Sequence, residues 1–413
     1  MNILFVHEVD WLKKVVFEMH NLAESLSLQG HQVYVIDYPD TWTRDSVFDL
    51  GSLRTKETTG ICRTLPGASV CLRRPGYIKI PGLSRLSAGC THYFEIQKTI
   101  VEKKIDVIIL YSVPTNGLQV IHLARKYKVP VVFRSIDILH QLVRNPFLRP
   151  MTKYLEKKIY QDSDMILTIT PKLSSYVTGM GANKNKVHLL PVVVDTNFFS
   201  PRQMNKELQY KWGFNQEEKI ILFMGTLFEF SGLDTYIRQF PHVLQQNPQA
   251  RLLIVGDGPQ RDKLEKAIEA LGLKSKIIIT GFEPYETMPE YISLATACIC
   301  PFVDVDATRD IFPSKIAQYM ACGKPVIASG LPGIKALIPN NNSGIIYGEN
   351  PMDITNATIA ILKSQENQLQ MGAAALNYAR CTHSQQAITN QIYAIFNKLI
   401  LTKTGISDSK KCK

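Results

Sequence analysis

Nowhere in this 413-residue sequence do apolar side chains run for the ~18 to 20 positions that a bilayer-crossing helix requires, so no such helix is expected. The opening, MNILFVHEVDWLKK, places its charges after a short apolar run, unlike a secretory leader, and is expected to begin a first strand. The eight cysteines form no CxxC pair and no metal-ligand spacing, which speaks against a zinc or dithiol centre and fits a reducing, cytoplasmic compartment. Cys298 and Cys300 alternate along an apolar strand, as core residues do. Short tandem repeats are absent too.

Acids are in deficit, and the net charge of +11 calls for a partner or a surface. From Arg54 to Lys104 ten Lys or Arg face only three acids. Within that stretch, CLRRPGYIKIPGLSRL interleaves Arg73, Arg74, Lys79 and Arg85 with Leu72, Tyr77, Ile78, Ile80 and Leu83. Basic and apolar residues together suit anionic lipid headgroups, with Arg73, Arg74, Tyr77, Lys79 and Arg85 as the expected contacts. The plainer reading is a solvated loop. Nucleic acid is disfavoured, because no reader motif accompanies the charge.

What is present is enough for two cores: 45% of the residues are apolar, and the length suits two domains. Short apolar strands alternate with helices, the pattern of a mostly parallel sheet covered on both faces. Strands are expected at Asn2–Val6, Gln32–Asp37, Val107–Tyr111, Pro130–Arg134, Met165–Ile169 and Val187–Leu190, with helices at 15–29 and 117–127. A polar stretch after Asp195 reads as a linker, and a second α/β set begins at Ile220. The expected fold is therefore α/β: two Rossmann-like, doubly wound domains facing a central cleft. Residues 1–197 form the first and 198–384 the second, with a final helix in 385–413 crossing back to the first and a disordered tail.

The most telling stretch is RDIFPSKIAQYMACGKPVIAS, Arg309 to Ser329. Pro313 suits a first helical turn, Gly323 a helix end, and a buried strand follows at once. Backbone N–H groups from Ile311 to Lys315, Phe312 and Ser314 among them, would point outward beside the positive end of the helix, a cradle for phosphate. Asp310 lies just ahead and Gln318 on the same face as Ser314. An acid, a row of donors and an amide converging on one ligand suit a nucleotide sugar.

Five segments in order, LAESLSLQGHQVYVID, KVHLLPVVVDTNFFSP, FMGTLFEFSGLDTYI, LLIVGDGP and YMACGKPVIAS, jointly resemble the family 4 glycosyltransferases, retaining enzymes of the GT-B fold. The likeness covers nearly the whole chain. It implies a nucleoside-diphosphate sugar held by the second domain, the acceptor on the first, and no obligatory metal or other cofactor. In the family two acids bracket the phosphate-binding helix, one contacting donor-sugar hydroxyls and the other the ribose. The matching positions are Asp310, as a catalytic candidate, and Gln318, a neutral residue in place of an acid.

Further departures follow. The family's basic pair, Arg and Lys after the first strand of the second domain, is replaced by Thr226 and Ser231 in GTLFEFSG. These two, Gly225 before them, and Gly256 and Asp257 of the GDGP turn complete the donor-side candidates. The missing cations have possible substitutes in Arg309, Lys315 and the pair Lys13 and Lys14, which stand where the family has a Gly-Gly loop. The family's active-site histidine falls near Ile136, leaving Asp137 as the preferred catalytic candidate and His140 as its neighbour. His7, Glu8 and Asp10 are expected to line the acceptor side. Two rivals remain: a partner subunit that kept the fold and lost the chemistry, and a nucleotide-sugar epimerase. A basic surface on a peripheral membrane enzyme would suit a lipid-linked glycan or glycolipid acceptor.

Overall fold

Segments such as NILFV and VIIL are apolar at every position, as strands buried on both faces of a parallel sheet must be. The computed structural model describes the chain except for positions 14–17, 39–49, 81–82, 112, 144, 306–307, 310, 339–341, 349, 351 and 405–413. It divides into two units, Met1–Val193 together with the chain from Ile388 onward, and Val194–Ala387. The returning chain is the helix Gln385–Thr404 from its first turn onward, and its Ile388, Ile392 and Phe396 are fully buried in the core of the first unit.

Among the described residues the first unit holds eight strands: β1 (Asn2–Val6), β2 (Gln32–Ile36), β3 (Lys56–Ile61), β4 (Val70–Arg74), β5 (Val107–Leu110), β6 (Val131–Ser135), β7 (Met165–Thr168) and β8 (Val187–Leu189). Their order is β3-β4-β2-β1-β5-β6-β7-β8, parallel throughout except that β3 runs antiparallel to β4. Ile3 and Phe5 point to one face, against α1 (Glu18–Leu28) and the C-terminal helix. Leu4 and Val6 point to the other, where α2 (Ser84–Glu102), α3 (Gly117–Tyr127) and α5 (Arg149–Asp162) lie, the short α4 (Leu139–Leu142) preceding α5.

The second unit has β9 (Lys219–Met224), β10 (Ala250–Val255), β11 (Ile277–Ile279), β12 (Ala297–Cys300), β13 (Val326–Ser329) and β14 (Gly344–Tyr347), all parallel, in the order β11-β10-β9-β12-β13-β14. Cys298 and Cys300 are buried in its core, as their spacing implied. The polar linker contains an unforeseen helix, Lys206–Lys211, whose first turn is capped by Asn205. Among the described residues no helix is long and apolar enough to cross a membrane.

The basic stretch after Arg54 is corrected by the structure. It supplies β3, β4 and α2, and three of the five expected contacts turn inward. Arg73 is buried and its Nε lies 2.7 Å from Glu95, with Glu57 and Glu102 nearby. Arg74 is held by Asp37, through Nε at 2.8 Å, and by Asp10 at 2.8 Å. Tyr77 is buried as well. These three side chains do not face a lipid surface, because acids on other elements draw both guanidinium groups inward. Lys79 is half-buried, and Arg85 is exposed with Nη1 donating to Thr115 at 3.3 Å.

Candidate functional site

The donor-side candidates gather at the carboxyl ends of β9 and β10, where open parallel sheets bind ligands. Gly225 ends β9 with φ of 132°, and Gly256 ends β10 with φ of 147°. A Cβ on Gly256 would lie 2.1 Å from the carbonyl oxygen of Gly225, so the two turns approach to a distance only glycine permits. A Cβ on Gly225 would in turn lie 2.6 Å from Nζ of Lys315. Thr226 is exposed beside it.

Lys315 comes from the helix Ser314–Ala321. Its ammonium stands 4.0 Å from the ring centroid of Phe223 and 4.9 Å from that of Phe302, and no described carboxylate pairs with it. Burial lowers its pKa to about 8. Pro313 is the residue before the helix, one position earlier than expected. The cradle is also narrower than expected: Ile311 donates its N–H to Thr308 and Pro313 has none. The amides of Phe312, Ser314 and Lys315 donate to no described residue and remain for a ligand.

Gln318 lies one turn on, its Nε2 3.5 Å from the hydroxyl of Tyr285. Tyr285 stacks on Phe198 with ring centroids 5.5 Å apart. Sequence reasoning missed it, because only the contact with Gln318 ties it to the site. Three other candidates are committed elsewhere. Ser231 is buried in the turn Glu229–Ser231, so it offers no hydroxyl to a ligand. Arg309 pairs with Asp304 at 2.9 Å. Asp257 is bound to Arg261 at 2.7 Å and to the N–H of Gly258, which hold its carboxyl below the usual range. Asp310 lies outside the described residues. A cavity of about 590 Å³ opens beside Ser329, Lys335 and Tyr347; Gly232, Thr235 and Tyr236 from the segment after β9 line it, as does Phe302, the ring against which Lys315 packs, but none of the donor-side candidates named above does.

In the first unit the acceptor-side candidates sit at the ends of β1 and β6, which flank β5 in the sheet. Glu8 accepts from the N–H groups of Thr115 and Asn116 at 2.7 and 3.0 Å, fixing the entrance to α3. Asp10 accepts from Leu12 and Lys13 and from Arg74, so it shapes the loop that carries Lys13. Lys13 is exposed, and Lys14 lies outside the described residues. His7 is buried; its Nδ1 accepts from Val9, and its Nε2 has no partner among the described residues. Desolvation, aided by His20 and Arg74, lowers its pKa to about 3 and keeps the ring neutral.

Asp137 is exposed past the end of β6, where partial desolvation raises its carboxyl. His140 is turned away, its Nδ1 2.7 Å from the buried Glu156. Ile136 packs against the core. Arg134, overlooked in the sequence, is buried in β6, binding Glu18 at 3.0 Å and the carbonyls of Leu190 and Pro191. It locks β6 to α1 and to the chain after β8.

The chain matches the descriptions Glycosyltransferase Family 4 over residues 18–198 and Glycosyl transferases group 1 over residues 204–378. It is 23% identical over 60% of its length to alpha-D-kanosaminyltransferase of Streptomyces kanamyceticus, of which 64% is covered. It is 25% identical over 68% of its length to alpha-monoglucosyldiacylglycerol synthase of Streptococcus pneumoniae, again covering 64% of that protein. The chain thus spans less than two thirds of either relative's length. In fold it is similar to the Anabaena protein HepE solved in complex with UDP, with a TM-score of 0.69 at 16% identity, covering 96% of this chain and 100% of that one. With a family match on each of two parallel-sheet units, the chain belongs to the family 4 glycosyltransferases of the GT-B fold.

Proposed function

We propose that the protein moves a glycosyl group from a nucleoside-diphosphate sugar to a hydroxyl of a membrane-borne acceptor, a lipid-linked glycan or glycolipid, with retention and without an obligatory metal. The observation that carries the donor assignment is the convergence of Gly225, the Lys315 ammonium and the free amides of Phe312, Ser314 and Lys315. Together they offer a cation and oriented N–H donors to a diphosphate, though Thr226 and Ser231 replace the family's basic pair. Gln318 and Tyr285 supply an amide and a phenol for ribose hydroxyls.

In the reaction the bond from the anomeric carbon to the diphosphate oxygen breaks, and a bond to the acceptor oxygen forms on the same face. The acceptor proton passes to the departing phosphate oxygen, so no strong protein base is needed. Lys315 and the amides stabilise the negative charge that grows on the leaving group. The name of the pneumococcal relative, alpha-monoglucosyldiacylglycerol synthase, supports a lipid acceptor; such an acceptor would bring the protein to the periphery of the membrane, on its cytoplasmic face in this reading.

Calorimetry with UDP-, GDP- and ADP-sugars tests the donor site, and release of the diphosphate with and without EDTA tests turnover. Binding of one donor, turnover indifferent to EDTA and an unchanged anomeric configuration by NMR are expected. The replaced basic pair and the burial of Ser231 favour one second reading, a non-catalytic partner subunit. Donor binding without turnover, whatever acceptor is offered, would decide for it.

A further inference from the structure

We propose that the surface formed by α4, the turn after it and the start of α5 docks on an anionic lipid bilayer. The assignment rests on the membrane-borne acceptor proposed above, but its own evidence lies in the side chains. Phe147 is 91% exposed, and Leu142, Leu148, Met151 and Tyr154 are exposed around it. A cluster of large apolar tips this open is unusual unless something covers it.

The cluster is held by design of the backbone and is not a frayed end. The Asn145 side chain accepts from the N–H of Phe147 at 3.1 Å. Arg149 reaches back to the carbonyl of Val143 at 3.0 Å, closing the turn. Pro146 and Pro150 begin the 3₁₀ turn and α5, restricting the chain before anything binds.

Charge decides what covers it. Arg149, Lys153 and Lys157 recur along one edge of the exposed face of α5, while Met151, Tyr154 and Lys158 run along the other. Among the described residues none of these four cations has a carboxylate partner; Lys158 lies 6.0 Å from the Tyr154 ring. The single acid between Leu142 and Lys158, Glu156, is buried and accepts from Leu139, His140 and Tyr160. From Leu142 to Lys158 the outward face is therefore positive and apolar with no exposed acid; the exposed acid nearest to it in sequence, Asp137, precedes α4. Lysine stems and aromatic tips entering the headgroup layer while ammonium groups stay at the phosphates is how such a face meets an anionic bilayer.

Sedimentation of the full chain with vesicles of equal parts phosphatidylglycerol and phosphatidylcholine, against phosphatidylcholine alone, tests this. Binding to the first and not the second is expected, weakening at high salt. Lys153→Gln with Lys157→Gln should cut partitioning by about fivefold per lysine, the equivalent of about 1 kcal/mol each. Phe147→Ser should cut it further, with circular dichroism unchanged. Absence of binding to the anionic vesicles overturns the proposal, as does undiminished binding of these folded variants. So would preferential binding of RNA, or a dimer that Phe147→Ser dissociates without vesicles. The sedimentation needs no donor, so the two readings fail separately: vesicle binding with no transfer when donor sugars and lipid acceptors are then supplied would sink the transferase reading alone, and transfer with no binding to anionic vesicles would sink this one alone.

Discussion

Two stretches of the first unit look alike on paper: 72–85 and 142–158 both mix cations with aliphatic and aromatic residues. In the fold they are opposites. Arg73 and Arg74 are drawn inward by Glu95, Asp37 and Asp10, acids contributed by α2 and by the ends of β2 and β1. The cations of α5 keep their solvent, because the acid nearest to them in sequence faces the core. Whether a basic segment is scaffold or surface is thus decided by carboxylates far along the chain. Lys315 extends the comparison to the second unit: a cation lacking a described carboxylate partner is one left for a ligand.

The comparison is broken most readily at Arg73. Its loss leaves Glu95 charged and buried, and Arg73→Ala should lower unfolding free energy by about 3–5 kcal/mol in urea titrations. Near-wild-type stability would mean the pair is not what fixes β4. Arg74→Ala should cost less, about 2–3 kcal/mol, since that side chain keeps some solvent. Adding Asp37→Asn should recover part of it, the coupling expected of direct partners.

Lys315→Met should weaken donor binding about tenfold or more, as a charge-assisted hydrogen bond contributes about 1.5–3 kcal/mol. In the parent protein the ammonium loses its proton near pH 8. Donor affinity should therefore be flat below that pH and fall above it, whereas the Met variant should lack this decline; calorimetry across pH 6.5–9.5 (an assay range of about three units) distinguishes them. The smallest effect belongs to the other stretch. Lys157→Gln and Phe147→Ser should each change stability by less than about 0.5 kcal/mol, because neither touches a buried partner. A larger loss would make α5 scaffold after all.

Much of the fold was legible where strands are largely apolar: β1, β5, β6 and β7 were found within a residue or so of their ends. The missed strands of the first unit have a physical excuse. β3, KETTGI, is an edge strand with mostly exposed residues, and β4 carries two arginines whose neutralising acids lie elsewhere. At the candidate donor site, the turn glycines and the helix entrance were legible because backbone geometry demands particular residue types there. Lys315 could be named as a cation but not seen beneath Gly225, and Tyr285 became visible only through its contact with Gln318.

The return of the final helix bears on how the molecule is made. The first unit's core includes Ile388, Ile392 and Phe396, while the second unit is one unbroken stretch, Val194–Ala387. On the ribosome the second unit therefore has its whole chain before the first does. The usual order, in which the leading domain folds to completion first, is inverted. The exposed sheet face beneath α1 must wait for a helix synthesised some two hundred residues later, the length of the intervening unit.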